Sequence, residues 1–110
     1  MRYLILVVLF PLMIACSEEI NKEEIHKKAE MALNERIERM EGVLTVDEEI
    51  CRGSWQTTIR GMEIDKGAYC EQNSKAKCQE YKEHYSQRFN NAKPILDSAF
   101  HAKFGTYYFK

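Results

Sequence analysis

The stretch CRGSWQTTIRGMEIDKGAYC, residues 51–70, decides the predicted fold because the segments on both sides of it have helical patterns. Its side chains alternate in polarity from Trp55 to Ile59, and the alternation resumes after Gly61. A period of two is typical of a half-buried strand. We therefore predict two or three antiparallel strands within the segment Ile50–Cys70.

The hairpin turn in this stretch can lie at either of two positions, and each position brings a different pair of cysteines together. A tight turn at the Arg-Gly step that ends at Gly61 places Cys51 opposite Cys70. A turn at residues 65–67, with the Asp and Gly of a three-residue hairpin loop, instead leaves Cys70 near Cys78. We expect the disulfide Cys51–Cys70, with Cys70–Cys78 as the alternative and Cys51–Cys78 as a third pairing. Each would stabilise the fold by about 2–4 kcal/mol.

An amphipathic helix is predicted before this stretch. Asn21 and Glu24 have the spacing of a capping box, and apolar residues then recur at steps of three and four. Gly42 is a typical helix stop. The predicted helix covers residues 21–41.

Two further helices are predicted after the stretch. Ser74 is a good N-cap for a helix over residues 75–90, which places aromatic side chains at helical spacing. Pro94 is suited to the first turn of a short helix over residues 94–103, which Gly105 would end.

Apolar, β-branched or aromatic residues at 43–46 and 106–109 indicate additional short strands. The element order is then helix, strands, helix, helix, strand. This order predicts a small single α+β domain: an N-terminal amphipathic helix, an antiparallel sheet of three to four strands, and two C-terminal helices packed on one face of the sheet.

The first fifteen residues have the pattern of a signal peptide. Arg2 gives a positive start, an apolar run follows, and the small residue Ala15 precedes Cys16. As a helix, the apolar run would reach roughly 20 Å, which is shorter than the ~30 Å hydrocarbon core of a bilayer. Residues 12–16, Leu-Met-Ile-Ala-Cys, resemble the lipobox of bacterial lipoproteins, with Met13 in the position where Leu is commonest.

The resemblance implies cleavage before Cys16 and attachment of a diacylglycerol and an N-acyl chain to this residue. Several acyl chains hold a protein stably on a membrane, whereas one chain does so only marginally. Ser17 follows Cys16, in the position where an Asp retains enterobacterial lipoproteins at the inner membrane. The resemblance thus implies an outer-membrane anchor with a periplasmic or surface-facing domain. The expected organisation is a signal peptide (1–15), a lipidated tether (16–20) and a single domain (21–110).

The composition and motifs predict no catalytic or metal site. The net charge is −1 and no basic patch is evident, so nucleic acid is not an expected partner. His26, His84 and His101 lie far apart and outside any known metal-binding pattern, and no serine lies in a nucleophile-elbow sequence. We therefore expect no enzyme activity, no metal and no cofactor, the covalent acyl chains on Cys16 aside.

Aromatic residues near the C-terminus are the candidate contact surface. Tyr107, Tyr108 and Phe109 form a cluster of rings of the kind enriched at interfaces. We expect a small lipid-anchored module that holds or blocks another envelope protein, as an accessory factor, inhibitor or exclusion factor. The alternative is a structural or lytic envelope protein in which helix 21–41 pairs with an inner-membrane partner.

Overall fold

The structure, a computed structural model, describes residues 20–110. The predicted signal peptide and Cys16 lie outside these residues. The described chain forms three α-helices, with one turn of 3-10 helix (Val43–Thr45) between the first two: α1 (Lys22–Gly42), α2 (Glu48–Glu71) and α3 (Lys75–Phe104). Residues 20–110 contain no β-strand, so the predicted α+β fold is wrong and the domain is all-α.

The stretch 51–70 is helical rather than extended. Asp47 caps α2, its carboxylate accepting a hydrogen bond from the Ile50 amide at 3.0 Å, and acidic residues occupy the first turn, where they favour the helix dipole. The buried positions follow steps of three and four instead of two: Cys51, Trp55, Thr58 and Met62. Burial of this face outweighs the short alternating pattern, because most helix stability in proteins comes from packing.

The other predicted strands are also absent from the described chain. Residues 43–46 form the 3-10 turn and its cap, and residues 106–109 follow α3 without regular structure. The two predicted C-terminal helices are one continuous helix, with Pro94 inside it. Phe89, before Pro94, and Leu96, after it, both pack against the core. This packing offsets the hydrogen bond that the proline removes, so the helix continues past Pro94.

The predicted helix caps at Asn21, Ser74 and Gly105 are confirmed, whereas the predicted helix end at residue 90 and start at residue 94 are wrong. The Asn21 side chain accepts a hydrogen bond from the Glu24 amide at 3.1 Å, as the capping pattern indicates. The Ser74 hydroxyl accepts one from the Lys77 amide at 3.3 Å. Gly105 ends α3 with φ of 77°, a left-handed conformation that glycine adopts without strain.

Helices α1 and α3 run in the same direction. Side-chain contacts join His26 to Glu80 and Glu30 to His84, so the contacts advance along both helices together. Since α1 and α3 are parallel, the first turn of α1 lies beside the first turns of α3. The apolar face of α1 is buried within the bundle through Ile25, Ala29, Leu33 and Met40.

Helix α2 runs antiparallel to α1. Arg36 of α1 bonds to Asp65 of α2. Met40 lies further along α1, and its carbonyl accepts a hydrogen bond at 2.8 Å from Nε1 of Trp55, which lies earlier in α2. The contacts therefore advance along α1 as they move back along α2. The largest fully buried side chains come from all three helices and form one core: Trp55, Tyr85, Phe100, Leu33, Met40, Met62, Leu96 and Cys51.

A polar contact joins all three helices beside this core. The Arg36 guanidinium donates to both Asp65 oxygens, at 2.9 Å from Nε and 2.8 Å from Nη2, and the Tyr85 hydroxyl donates to the same carboxylate at 2.8 Å. Burial alone would raise the pKa of Asp65, but these donors outweigh it and hold the pKa below its usual range. Burial and the bond to Asp65 raise the pKa of Tyr85.

The disulfide joins Cys70 and Cys78, the alternative pairing. The preferred Cys51–Cys70 pairing assumed a hairpin, and in a continuous helix these residues lie almost at opposite ends of α2. Cys51 is fully buried and forms no disulfide with a described residue. Burial raises the pKa of its thiol.

Candidate functional site

A groove lies between α2 and α3, with a volume of about 260 Å³. We call it the α2–α3 groove. Its apolar lining comes from Ile59, Met62 and Phe89, and polar groups at its sides include Lys66, Asn90 and Lys93. The volume is smaller than the roughly 300–1,000 Å³ of small-molecule sites, and it suits one or two inserted side chains of a partner.

Lys66 places a fixed positive charge at the groove. Its side chain is only 14% exposed and its ammonium donates to the Ser86 hydroxyl at 3.1 Å. The ammonium also lies 5.5 Å from the centre of the Tyr85 ring, within cation–π range. Its carboxylate partner, Glu63 at 2.9 Å, is 73% exposed and can turn away into solvent. A carboxylate from a partner protein can therefore replace Glu63.

Lys93 provides a second positive charge at the groove and connects it to the C-terminal residues. Its ammonium lies 5.3 Å from the centre of the Phe89 ring and 5.5 Å from that of Phe109. The two phenyl rings meet edge to face, with centroids 6.0 Å apart. Phe109 thus packs against two residues that line the α2–α3 groove, Phe89 and Lys93.

Asn90 adds hydrogen-bonding groups to the same rim. Pro94 has no N–H, so the carbonyl of Asn90 lacks the hydrogen bond that residue 94 would donate in a regular helix. Asn90 is exposed and lines the groove. The exposed side-chain amide of Asn90 offers a partner hydrogen bonds at this rim.

The three residues of the predicted aromatic contact surface, Tyr107, Tyr108 and Phe109, do not form a single surface patch. Asp97, which is buried, accepts hydrogen bonds from the amides of Tyr108 (2.7 Å) and Phe109 (3.1 Å). This holds the Tyr108 ring against Trp55, with centroids 5.3 Å apart, where it covers the core. Tyr107 instead stacks on His101 at 4.2 Å, away from the groove-lining residues. Of the three residues, Phe109 is the one that contacts groove-lining side chains, those of Phe89 and Lys93. The role of all three residues in partner binding stays a prediction.

Several polar groups of the groove are already engaged in contacts within the domain. Its tyrosine, Tyr85, is buried with its proton bonded to Asp65, and its amines are both paired or stacked. Within residues 20–110, no three His, Cys, Asp or Glu side chains converge to hold a metal ion, and no helix there is long and apolar enough to cross a bilayer.

The sequence contains a signal for the groove that a strand prediction conceals. Ile59, Met62 and Lys66 are spaced three and four residues apart, and so share a face only if the segment is helical. Phe89 and Lys93 are four residues apart on α3 and likewise share a helix face.

Comparison with known protein families, with curated proteins and with solved structures finds no match for this chain.

Proposed function

We propose that this protein is a lipid-anchored binding module of the bacterial outer membrane, which holds or blocks another envelope protein through the α2–α3 groove. The lipobox-like residues 12–16 support the anchor. The observation that carries the binding role is the groove itself: an apolar lining next to two ammonium groups and an exposed side-chain amide.

The groove indicates the chemistry of the partner. An apolar side chain fits against Phe89 and Met62, and a neighbouring carboxylate reaches Lys66 or Lys93. Aromatic residues such as Phe89 are enriched at protein interfaces, and complementary charges orient a partner and speed its association. The partner segment is therefore one in which large apolar residues alternate with Asp or Glu.

The alternative role, in which helix 21–41 pairs with an inner-membrane partner, receives less support. Such pairing needs a free apolar face on α1. In this fold the apolar face of α1 is packed against α2 and α3 in the domain's own core. A partner could reach it only by unfolding the bundle.

Site-specific photocrosslinking in the native envelope tests the proposal. A photoreactive amino acid is placed in the full lipidated chain either at Asn90 or at Asn91, since both are exposed asparagines of α3 but only Asn90 lines the groove. We expect a discrete crosslinked species from position 90 that is absent from position 91. Lys93→Glu should weaken this species, because it reverses the charge offered to the partner.

A matched charge reversal outside the groove is the control. Lys27 is exposed on α1, and Lys27→Glu should leave the crosslink from position 90 unchanged. Equal crosslinks from positions 90 and 91, or a crosslink at 90 that Lys93→Glu does not change, would contradict binding through the groove.

A further inference from the structure

The residues that follow α3 form a strap across the bundle. Residues 106–110, which we call the strap, have no regular secondary structure, so no helix or sheet satisfies their backbone groups. Gly105, with φ of 77°, turns the chain away from the axis of α3. The strap then lies against the core, because the ring centroid of Tyr108 is 5.3 Å from that of Trp55 and 5.9 Å from that of Phe100.

Asp97 attaches the strap to α3. Its side chain is 3% exposed, and its Oδ1 accepts hydrogen bonds from two consecutive amides of the strap, those of Tyr108 and Phe109. No basic side chain among residues 20–110 forms a salt bridge with this carboxylate. A buried carboxylate is costly unless hydrogen bonds replace those it made to water. Asp97 and the strap therefore stabilise each other.

Arg52 attaches the strap to α2. Its Nη2 donates to the carbonyl of Tyr107 at 3.0 Å and to the hydroxyl of Thr106 at 3.2 Å. The guanidinium also lies 4.9 Å from the centre of the Phe100 ring, and its Nε donates to Glu48 at 2.9 Å. The strap is thus fixed to both helices that form the α2–α3 groove.

Phe109 connects the strap to the groove. Its ring meets the ring of Phe89 edge to face, and the ammonium of Lys93 lies over both rings. Cation–π contacts with two rings restrict a side chain that otherwise samples many rotamers. Because Phe89 and Lys93 line the groove, the position of Phe109 affects both its apolar lining and one of its positive charges.

We propose that the strap holds the α2–α3 groove in its binding conformation, with Asp97 and Phe109 as positioning residues. This role rests on the proposed function of the groove. Neither residue lines the groove. Asp97 fixes the strap amides, which places Phe109, and Phe109 in turn holds Phe89 and Lys93 before a partner arrives. A preorganised site loses less conformational entropy on binding, so loosening the strap lowers affinity although every groove-lining residue is unchanged.

NMR of labelled lysines tests the link between the strap and Lys93. Reductive methylation of the purified full chain in detergent places isotope-labelled methyl groups on the amines and keeps their charge, and Lys93→Arg identifies the Lys93 signal. The ring currents of two phenyl groups should shift this signal upfield of those of exposed lysines. Phe109→Ala should remove much of the shift, whereas Phe109→Tyr, which keeps a ring, should preserve it.

Tyr107→Ala is the matched control, since the ring of Tyr107 belongs to the strap but stacks on His101. It should leave the Lys93 signal in place. A Lys93 signal that lies among those of exposed lysines in the wild type, or one that Phe109→Ala does not move, would overturn the role of the strap.

Photocrosslinking from position 90 in the native envelope tests the effect on binding. Phe109→Ala and Asp97→Ala should each weaken the crosslinked species by about threefold to tenfold, the cost of ordering one or two side chains on binding. Asp97→Asn should restore it, because the amide oxygen can still accept both hydrogen bonds. Tyr107→Ala should leave it unchanged. Circular dichroism checks that each variant keeps the wild-type helix content, and half-buried Phe109 provides the test if Asp97→Ala unfolds.

Two outcomes separate the role of the strap from that of the groove. A wild-type crosslink that stays equally strong in folded Phe109→Ala would overturn the role of the strap alone. No crosslink from position 90 in the wild type would contradict binding through the groove, and the role of the strap would fall with it.

Discussion

The guanidinium of Arg36 occupies the space that a side chain at Gly61 would need. A Cβ built at position 61 collides with Nη1 and Cζ of Arg36, whereas Gly53 and Gly67 in the same helix have open space around them. Gly61 is buried, and it is the point where α1 approaches α2 closely enough for Arg36 to reach Asp65. Each of the three glycines weakens the helix, but Gly61 also makes room for an interhelical contact.

Gly61→Ala should destabilise the domain. Alanine improves helix propensity by up to about 1 kcal/mol, but displacing Arg36 removes hydrogen bonds between charged groups that contribute about 1.5–3 kcal/mol. We expect the free energy of unfolding to fall by about 1–2 kcal/mol, measured by urea denaturation. Gly53→Ala is the matched control and should raise it by about 0.5–1 kcal/mol. In an Arg36→Ala background Gly61→Ala should also become stabilising, and a persistent loss there would disprove the steric explanation.

Acid should weaken the contact between the helices through Asp65. The pKa of Asp65 in the folded state is lower than in the unfolded chain, so the ionised carboxylate stabilises the fold above about pH 5. This contribution is lost as the pH falls through the folded-state pKa. Asp65→Asn removes the ionisable group, so the stability difference between the wild type and Asp65→Asn should narrow steadily from pH 5 to pH 2. A constant difference over this range would show that the ionisation of Asp65 does not matter.

The disulfide Cys70–Cys78 should be detectable and stabilising. Mass spectrometry of the unreduced protein should find these two cysteines in one linked peptide, and Cys51 should react with iodoacetamide only after unfolding because it is buried. Closing a loop of this length restricts the unfolded chain and contributes about 2–3 kcal/mol. The double variant Cys70→Ser, Cys78→Ser should lose that amount, and a linked Cys51 peptide would contradict the pairing.

The lipid anchor is tested at Cys16. Radiolabelled palmitate should enter the wild-type chain and be absent from Cys16→Ser, because the acyl chains are expected on this thiol and on the new amine. The wild type should sediment with the outer membrane and the variant should be released from it. Cys51→Ser controls for labelling of another thiol, and equal labelling of the wild type and Cys16→Ser would refute the anchor.

The ends of the helices were more predictable than their packing. Asn21, Ser74 and Gly105 act through hydrogen bonds and backbone conformation within a few residues, so the local sequence predicts them correctly. Pro94 misled the prediction, since its local preference favours a helix start while distant side chains pack on both sides of it.

The segment 51–70 shows why the fold class was missed. Thr57, Thr58 and Ile59 are β-branched and favour strands locally, but Trp55 and Met62 are buried on one side only if the segment is helical. The cap at Asp47 and the acidic residues after it were the available signal for a helix start. One side of the α2–α3 groove consists of residues from this helix. A strand prediction for the segment places these residues on different faces, so it does not predict the groove.

The arrangement of α1 and α3 determines how the domain would carry mechanical tension. A molecule tethered through its N-terminus and held by a partner at the α2–α3 groove is pulled between the first turn of α1 and the middle of α3. The component of this force along the helix axes acts to slide α1 past α3, so it loads many side-chain contacts at once instead of breaking them one by one. The disulfide keeps α2 and α3 joined at the tethered end. Resistance to such a pull depends on the unfolding rate and not on equilibrium stability, so the free energy of unfolding alone does not determine how long the bundle holds a load.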